Sequence, residues 1–240
     1  MALAGDRRMT IARSMTLLPD LRLSRADMVE MRLKQRLTAD MLSHFDLFLY
    51  VSKSASGLLA QRMYVFQRAP GGLTLAHEWA ASTGRELVEI NARGRAVITA
   101  TPAGFYQLDP RRMYSHYHSA SWDQDMPSTM FFNWERGGMQ TGLAIHAAAG
   151  GDIAKLGRRA SAGCVHLAPA HAAALYALIR ENYRGVVPRF AYDEKIGTSS
   201  NRGDFMRDGQ GRLKMADGYR VLVVLEDYGG QEEITAAALF

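Results

Sequence analysis

The sequence predicts a mainly β domain with a few peripheral helices. Three observations carry that expectation. From Phe45 onward, apolar and aromatic residues recur at alternate positions in short runs; those runs are separated by Gly, Pro and Ser; and helical spacing is confined to two segments, one before Phe45 and one after Pro169.

Taken in order, residues 22–44 (LRLSRADMVEMRLKQRLTADMLS) set Leu, Met and Val at helical spacing with charges between them, and Ser24 is available as an N-cap. This predicts one amphipathic helix. FDLFLYVSKS and QRMYVFQRA then read as two strands of a hairpin separated by the small residues SASG. Gly71-Gly72 makes a turn, LTLAHEWAAS reads as a strand, and RAVITATPAGFYQL reads as another, broken at Thr101-Pro102-Ala103-Gly104. Between Asp109 and Gln140 no period is clean, and Pro127 and Gly137-Gly138 punctuate the chain; this reads as a long excursion, and such loops tend to carry function. In TGLAIHAAA the alternation returns, with Leu143 and Ile145 on one face and Ala144 and His146 on the other. Pro169 suits a first helical turn, AHAAALYALIREN continues the helix, and GYRVLVVLED is a strand. The organisation expected is an N-terminal extension with its helix over 1–44, a main domain over 45–228 and a tail over 229–240, without repeats or low-complexity tracts.

At 240 residues the chain can bury a full core without staples. Hydrophobic residues make up 48% and charged residues 22%, which excludes a chain disordered throughout. The net charge of +5 comes from scattered basic residues interleaved with acidic ones, the pattern of a solvated surface, and no nucleic-acid-binding motif accompanies it. No run of about 18 apolar residues exists to make a transmembrane segment. Met1 to Asp20 carries Arg7 and Arg8 but no continuous apolar stretch and no clear cleavage site, so it does not read as a signal peptide. A chain from which an export signal had been removed would look the same.

The one cysteine, Cys164, lies in Ser161-Ala162-Gly163-Cys164-Val165-His166. It cannot make an internal disulfide, and a thiol acts as a nucleophile only when a base takes its proton. His146, 18 residues upstream, ends a strand whose face it shares with the small Ala144, and the loop between can fold back beside it. Gly163 allows a tight turn and close approach of backbone N–H groups to a ligand, and Ser161 can hold that turn. Alone, a cysteine is commonly a small buried apolar residue and a strand-end histidine a surface one. Spacing and company favour the paired reading here.

The segment IHA, its following loop and SAGCVHL resemble the catalytic signature of the YkuD-type L,D-transpeptidases of bacterial peptidoglycan. RMYVFQ, ASTGRE, TATPAGFYQL and MPSTMFFNW…GGMQTGLAIH resemble further family segments in the right order, and the likeness runs from about Phe45 to Asn182. The resemblance implies a β-sandwich or barrel catalytic domain in which Cys164 is the nucleophile and His146 its base, oriented by a backbone carbonyl. Gly163 and Cys164 would offer N–H groups to the oxyanion, and Ser161 would support the loop. Ala162 stands where many members have a second histidine, which implies altered fine-tuning with activity kept. His166 occupies a variable position expected to face substrate.

The implied reaction is ping-pong acyl transfer on peptidoglycan stem peptides, which act as both donor and acceptor. The thiolate attacks the carbonyl of diaminopimelate at the third stem position, D-alanine leaves, and an amine resolves the thioester; resolution by water would make an L,D-carboxypeptidase, endopeptidase or amidase. Cofactors are none, carbapenem-type β-lactams are implied inhibitors, and the location implied is periplasmic or facing the cell wall. Cross-links to a second diaminopimelate or to L-alanine use the same nucleophile, so the acceptor stays open. Ser128, Met130, Phe131, Phe132, Asn133 and Trp134, just before the catalytic strand, are the expected substrate contacts, with at most one of the two adjacent phenylalanines facing the groove. Two rival readings remain. His116-Tyr117-His118, followed by Asp123 and Asp125, could ligate zinc from one strand face, as in a metallopeptidase. The same scaffold could also serve as a wall-binding module without turnover.

Overall fold

The computed structural model describes residues 23–230, so the expectations for Met1 to Asp20 and for most of the C-terminal tail lie outside the described residues. The helical segment forms as two helices, α1 (Arg25–Arg36) and α2 (Ala39–His44), in place of the one predicted. Helix α1 starts in a reciprocal capping box: Ser24 Oγ accepts from the Asp27 N–H at 3.2 Å, and the Asp27 carboxylate accepts from the Ser24 N–H at 3.1 Å. The break falls at Leu37, which turns extended and buries its side chain, and Thr38, whose hydroxyl caps the Met41 N–H. A hydroxyl that competes for local backbone donors favours a new start over continuation.

Eight strands close into a barrel: β1 (Leu47–Ser52), β2 (Arg62–Ala69), β3 (Gly72–Ser82), β4 (Gly104–Tyr114), β5 (Thr129–Phe132), β6 (Ala144–Ala147), β7 (Val165–Leu167) and β8 (Val221–Glu226). Their order around the barrel is β1-β8-β4-β5-β6-β7-β3-β2. Two neighbouring pairs, β1 with β8 and β6 with β7, run parallel; the others are antiparallel. The predicted hairpin is β1–β2, and helix α3 (Pro169–Asn182) begins on its proline as expected.

Alternation sorts the side chains into two cores. Leu47, Leu49 and Val51 join Val221, Val223, Ile145, Val165 and the Leu175 and Ile179 of α3. Phe48, Tyr50, Leu222 and Val224 point the other way, against Val29 and Leu33 of α1 and Met41 of α2. Strands β1 and β8 are therefore buried on both faces, which is why their sequences are nearly continuous apolar runs. Each large side chain so removed from water contributes about 2 kcal/mol. The exception on β8 is Glu226, whose carboxylate accepts from Arg32 (2.7 and 3.0 Å), Arg36 (2.8 Å) and the Tyr50 hydroxyl (2.9 Å). That charge cluster bolts α1 to the barrel wall.

The excursion expected between Asp109 and Gln140 is in part barrel. Strand β4 runs on to Tyr114, and β5 is four fully buried residues. A register shift between Leu108 and Met113 disrupts the alternation of β4, and β5 is too short to show a period of its own. RAVI does not join the barrel either; Ala96–Ile98 pairs with Val88–Ile90 as a separate small hairpin. The segment after Tyr192 packs on the barrel through Trp134 Nε1 donating to the Ser199 carbonyl at 3.0 Å and the Phe105 N–H donating to the Asn201 carbonyl at 2.9 Å.

Candidate active site

Strands β6 and β7 lie side by side with His146 opposite His166, and the two rings are 4.5 Å apart between centroids. Both histidines are almost fully buried, at 2% and 3% exposure. Cys164 immediately precedes β7 and lines, with both imidazoles, a cavity of about 300 Å³. The opposite walls are Phe131, Met126, Tyr117 and Trp122 from the 115–131 region and Val97 and Ile98 from the small hairpin.

The His146 Nδ1 lies 2.8 Å from the Ala147 carbonyl. A carbonyl can only accept, so Nδ1 carries the ring proton and Nε2 is left as the acceptor. Burial, then the neighbouring His166, pushes His146 down to about 3, against weaker upward pulls from the Ala147 carbonyl and Asp152. Burial likewise takes His166 down to about 4 and pushes the Cys164 thiol up to about 11. The resting site is thus neutral throughout, and the thiol donates weakly to the Gly142 carbonyl at 3.5 Å.

The loop carrying the cysteine is held from three sides. Ser161 Oγ accepts from the Gly163 N–H at 3.0 Å and donates to the Cys164 carbonyl at 2.5 Å. The Thr101 hydroxyl donates to the Gly163 carbonyl at 2.7 Å and accepts from the Gly84 N–H at 2.8 Å. The Thr83 carbonyl accepts from the N–H groups of Ala160 and Ser161, and the Arg85 N–H donates to the Ser161 carbonyl. Behind Thr101, the buried Lys53 ammonium donates to its carbonyl at 2.7 Å and pairs with Glu86 at 2.6 Å. These contacts give the ASTGRE and TATPAG segments a physical purpose, since both grip the loop that carries Cys164. Two glycines are dictated by it. A Cβ on Gly84 would fall 2.1 Å from the Thr99 carbonyl oxygen, and Gly163 sits at φ +121°, where a Cβ would also meet the Ala100 carbonyl oxygen at 2.9 Å.

Residues 51–198, more than half of the chain, match the YkuD L,D-transpeptidase catalytic domain. The chain belongs to the YkuD family. No curated protein matches it in sequence. Among solved structures it is similar to the L,D-transpeptidase from Xylanimonas cellulosilytica at 18% identity, covering 76% of this chain and 61% of that one with a TM-score of 0.41. It is similar to the LD transpeptidase LdtMt1 in complex with imipenem at 13% identity, covering 76% and 59% with a TM-score of 0.42. It is also similar to the helical cell shape determining protein Pgp2 from Campylobacter jejuni at 13% identity, covering 82% and 54% with a TM-score of 0.39. The chain spans between 54% and 61% of the length of these proteins.

On this YkuD domain the expected site residues separate. Cys164, His146 and His166 share the cavity, and Ser161 and Gly163 shape its loop, with the Gly163 N–H turned to Ser161 rather than toward the cavity. Of the six expected substrate contacts only Phe131 lines the cavity. Met130 and Phe132 point into the barrel core because the pleat of β5 turns alternate residues inward, and Trp134, two residues past the strand, packs in the same core. Asn133 lines a different cavity beside Glu135 and Tyr192, and Ser128 forms a turn at φ +53° with its N–H on the Ser115 carbonyl. Tyr117, Trp122, Gln124 and Met126 were missed because the excursion has no period to show which of its residues face inward, whereas the ELVEI and RAVI runs did carry a hairpin signal for Val97 and Ile98.

His116 and His118 line one shallow cavity with Tyr117, Asp125 and Pro127, but their ring nitrogens are engaged separately. The His118 ring nitrogens lie against Asp125 (2.9 Å) and Asp123 (3.2 Å), and His116 Nδ1 lies 3.3 Å from Ser115 Oγ. Among the described residues no group of three His, Cys, Asp or Glu is placed to hold a metal ion, so the zinc reading gains no support from the donor geometry. No helix among the described residues is long and apolar enough to cross a membrane.

Proposed function

We propose that this YkuD domain is a cysteine-dependent L,D-transpeptidase acting on peptidoglycan stem peptides. The observation that carries the reading is the convergence of Cys164 with His146 in one cavity, with Nδ1 of His146 tied to the Ala147 carbonyl so that Nε2 is free to accept.

Substrate closes the cavity, and the Cys164 sulfur attacks the diaminopimelate carbonyl as its proton passes to His146 Nε2. Taking the proton in concert with attack avoids a standing thiolate, which fits a thiol held near 11 beside an imidazole held near 3. Among the described residues the Cys164 N–H has no hydrogen-bond partner, which leaves it as a donor to the developing oxyanion. His146 then gives its proton to the departing D-alanine amine, leaving a thioester on Cys164. An acceptor amine attacks the thioester, His146 Nε2 takes the amine's proton, and that proton returns to the sulfur as the thiol leaves. Carbapenem-type β-lactams would acylate the same sulfur, and the place of work is the periplasm or the cell-wall face.

Mass spectrometry of purified muropeptides incubated with the protein and with Cys164→Ala tests this. The expected result is a cross-linked product and a thioester adduct with the native protein and neither with the variant. Shortened stems without cross-links would establish hydrolysis by the same thioester chemistry; product formation by Cys164→Ala would overturn the thiol mechanism.

A further inference from the structure

Asp152 sits on a 3-10 turn (Gly150–Lys155) that crosses the edge of the catalytic face. The turn is pinned to the end of β3, where Ser82 Oγ donates to the Lys155 carbonyl at 3.0 Å and the Gly157 N–H donates to the Ala81 carbonyl at 2.8 Å. This places Asp152 Oδ2 4.0 Å from His166 Nδ1. Gln124, itself a cavity residue, donates to the same Oδ2 at 3.0 Å, and Lys155 Nζ donates to Oδ1 at 2.9 Å.

Among the described residues the His166 Nδ1 is buried with no hydrogen-bond partner. An unmade hydrogen bond in a dry site is costly, which favours a contact that forms once the site gains charge. The Asp152 carboxylate lies 4.0 Å from that nitrogen, and the His146 ring stands 4.5 Å from the His166 ring between centroids. From the remaining elements the charged groups acting on His166 are the cations Arg85, after β3, and Lys155, and both oppose a proton there. Asp152 is the anion that opposes them, and it acts on both imidazoles.

We propose that Asp152, acting through His166, stabilises the imidazolium that forms on His146 when the Cys164 proton is taken. With neutral rings the 4.0 Å gap stays open. Positive charge on His146 polarises His166, whose Nδ1–H then closes on Asp152, while the proton itself stays on His146 Nε2 and the carboxylate is never protonated. Asp152 and His166 are positioning residues in this scheme; neither touches the reacting carbonyl. The inference rests on the proposed use of His146 as the base, and it adds a carboxylate to a site in which the immediate partner of that base is a backbone carbonyl.

The test is iodoacetamide alkylation of Cys164 near neutral pH, where the chain keeps its stability, on the native chain and on Asp152→Asn, Asp152→Glu and Lys155→Gln, with NMR spectra checking that each variant keeps the fold. Asp152→Asn keeps the shape and drops the charge; the alkylation rate is expected to fall about tenfold, the equivalent of one pH unit of proton affinity lost at the base. Asp152→Glu is expected to restore the rate, and Lys155→Gln to raise it. A rate unchanged in a folded Asp152→Asn overturns the inference, as does an equal fall in Asp152→Glu. The readout needs no peptidoglycan, so a native protein that forms no muropeptide product would overturn the proposed reaction and leave Asp152 to be judged by the alkylation rate.

Discussion

The Thr101 hydroxyl bridges two segments of chain, donating to the Gly163 carbonyl and accepting from the Gly84 N–H. All three groups are buried, so Thr101→Val, nearly the same shape without the hydroxyl, leaves a donor and an acceptor unpaired. The expected cost is about 1–3 kcal/mol in urea unfolding for each group left bare. Muropeptide turnover is expected to fall further than stability explains, because the Cys164 loop loses one of its three holds. Wild-type turnover in a folded Thr101→Val protein would show that the other two suffice.

Adjacent phenylalanines are expected to behave in opposite ways. Phe132 is fully buried and stacks on Tyr106 with centroids 4.9 Å apart, so Phe132→Ala should cost about 3–5 kcal/mol in chemical denaturation. Phe131 forms the cavity wall under the Arg112 guanidinium and beside Tyr117. Phe131→Leu should keep most of the stability and lose substrate affinity, read as a raised KM with kcat little changed. A shift in kcat alone would place Phe131 outside the binding surface.

The buried histidines make stability depend on pH with a definite sign. Folding holds His146 down to about 3 and His166 to about 4, against about 6.5 in the unfolded chain. Between those values the unfolded chain binds protons that the folded one refuses, so stability is full above about pH 6.5 and is lost progressively as pH falls toward 4 and 3. At the alkaline end the thiol, raised to about 11, works in the other direction: the unfolded chain ionises first, and stability declines as pH rises from about 9. Denaturation midpoints at pH 7, 5.5 and 4.5 check the acid limb, which should flatten in His166→Gln. An unaltered slope would mean that His166 is charged in the folded protein.

Glu226 joins α1 to the barrel through Arg32, Arg36 and Tyr50. Glu226→Leu leaves two arginines without their anion and Tyr50 without its acceptor. Because Arg32 and Arg36 keep about a third of their side chains in water, the expected loss is about 2–3 kcal/mol, less than for a fully buried pair. Truncating Leu33, buried at the same contact, should add to this, and turnover per folded molecule should hold in both. An unchanged unfolding midpoint in Glu226→Leu would show that the helix is held by apolar contacts alone.

Cys164 and His146 stood out as a pair because His146 follows an alternating run and Cys164 lies 18 residues on in a loop with Ser161 and Gly163, and the segments gripping that loop were legible as motifs. Their purpose was not, since Thr101 and Gly163 are 62 residues apart and only the barrel brings them together. Met130 and Trp134 show the reverse failure: both look like groove residues in an aperiodic stretch, yet barrel closure turns them inward. The break at Leu37 was hidden because Leu and Thr both fit a helical stripe, and the cap is decided by a single hydroxyl.

Strands β1 and β8 are partners from opposite ends of the domain, Leu47 lying against Val221 and Ser52 against Glu226. Until residue 226 has left the ribosome, Phe48 and Tyr50 on one face and Leu49 and Val51 on the other have no closing partner. The barrel is therefore expected to form only after synthesis of the whole domain, slowly for its size, as long-range pairing demands. A nascent chain stalled before Val221 should remain open to protease and to chaperones throughout its length, and the thiol at Cys164 should react freely until the last strand docks.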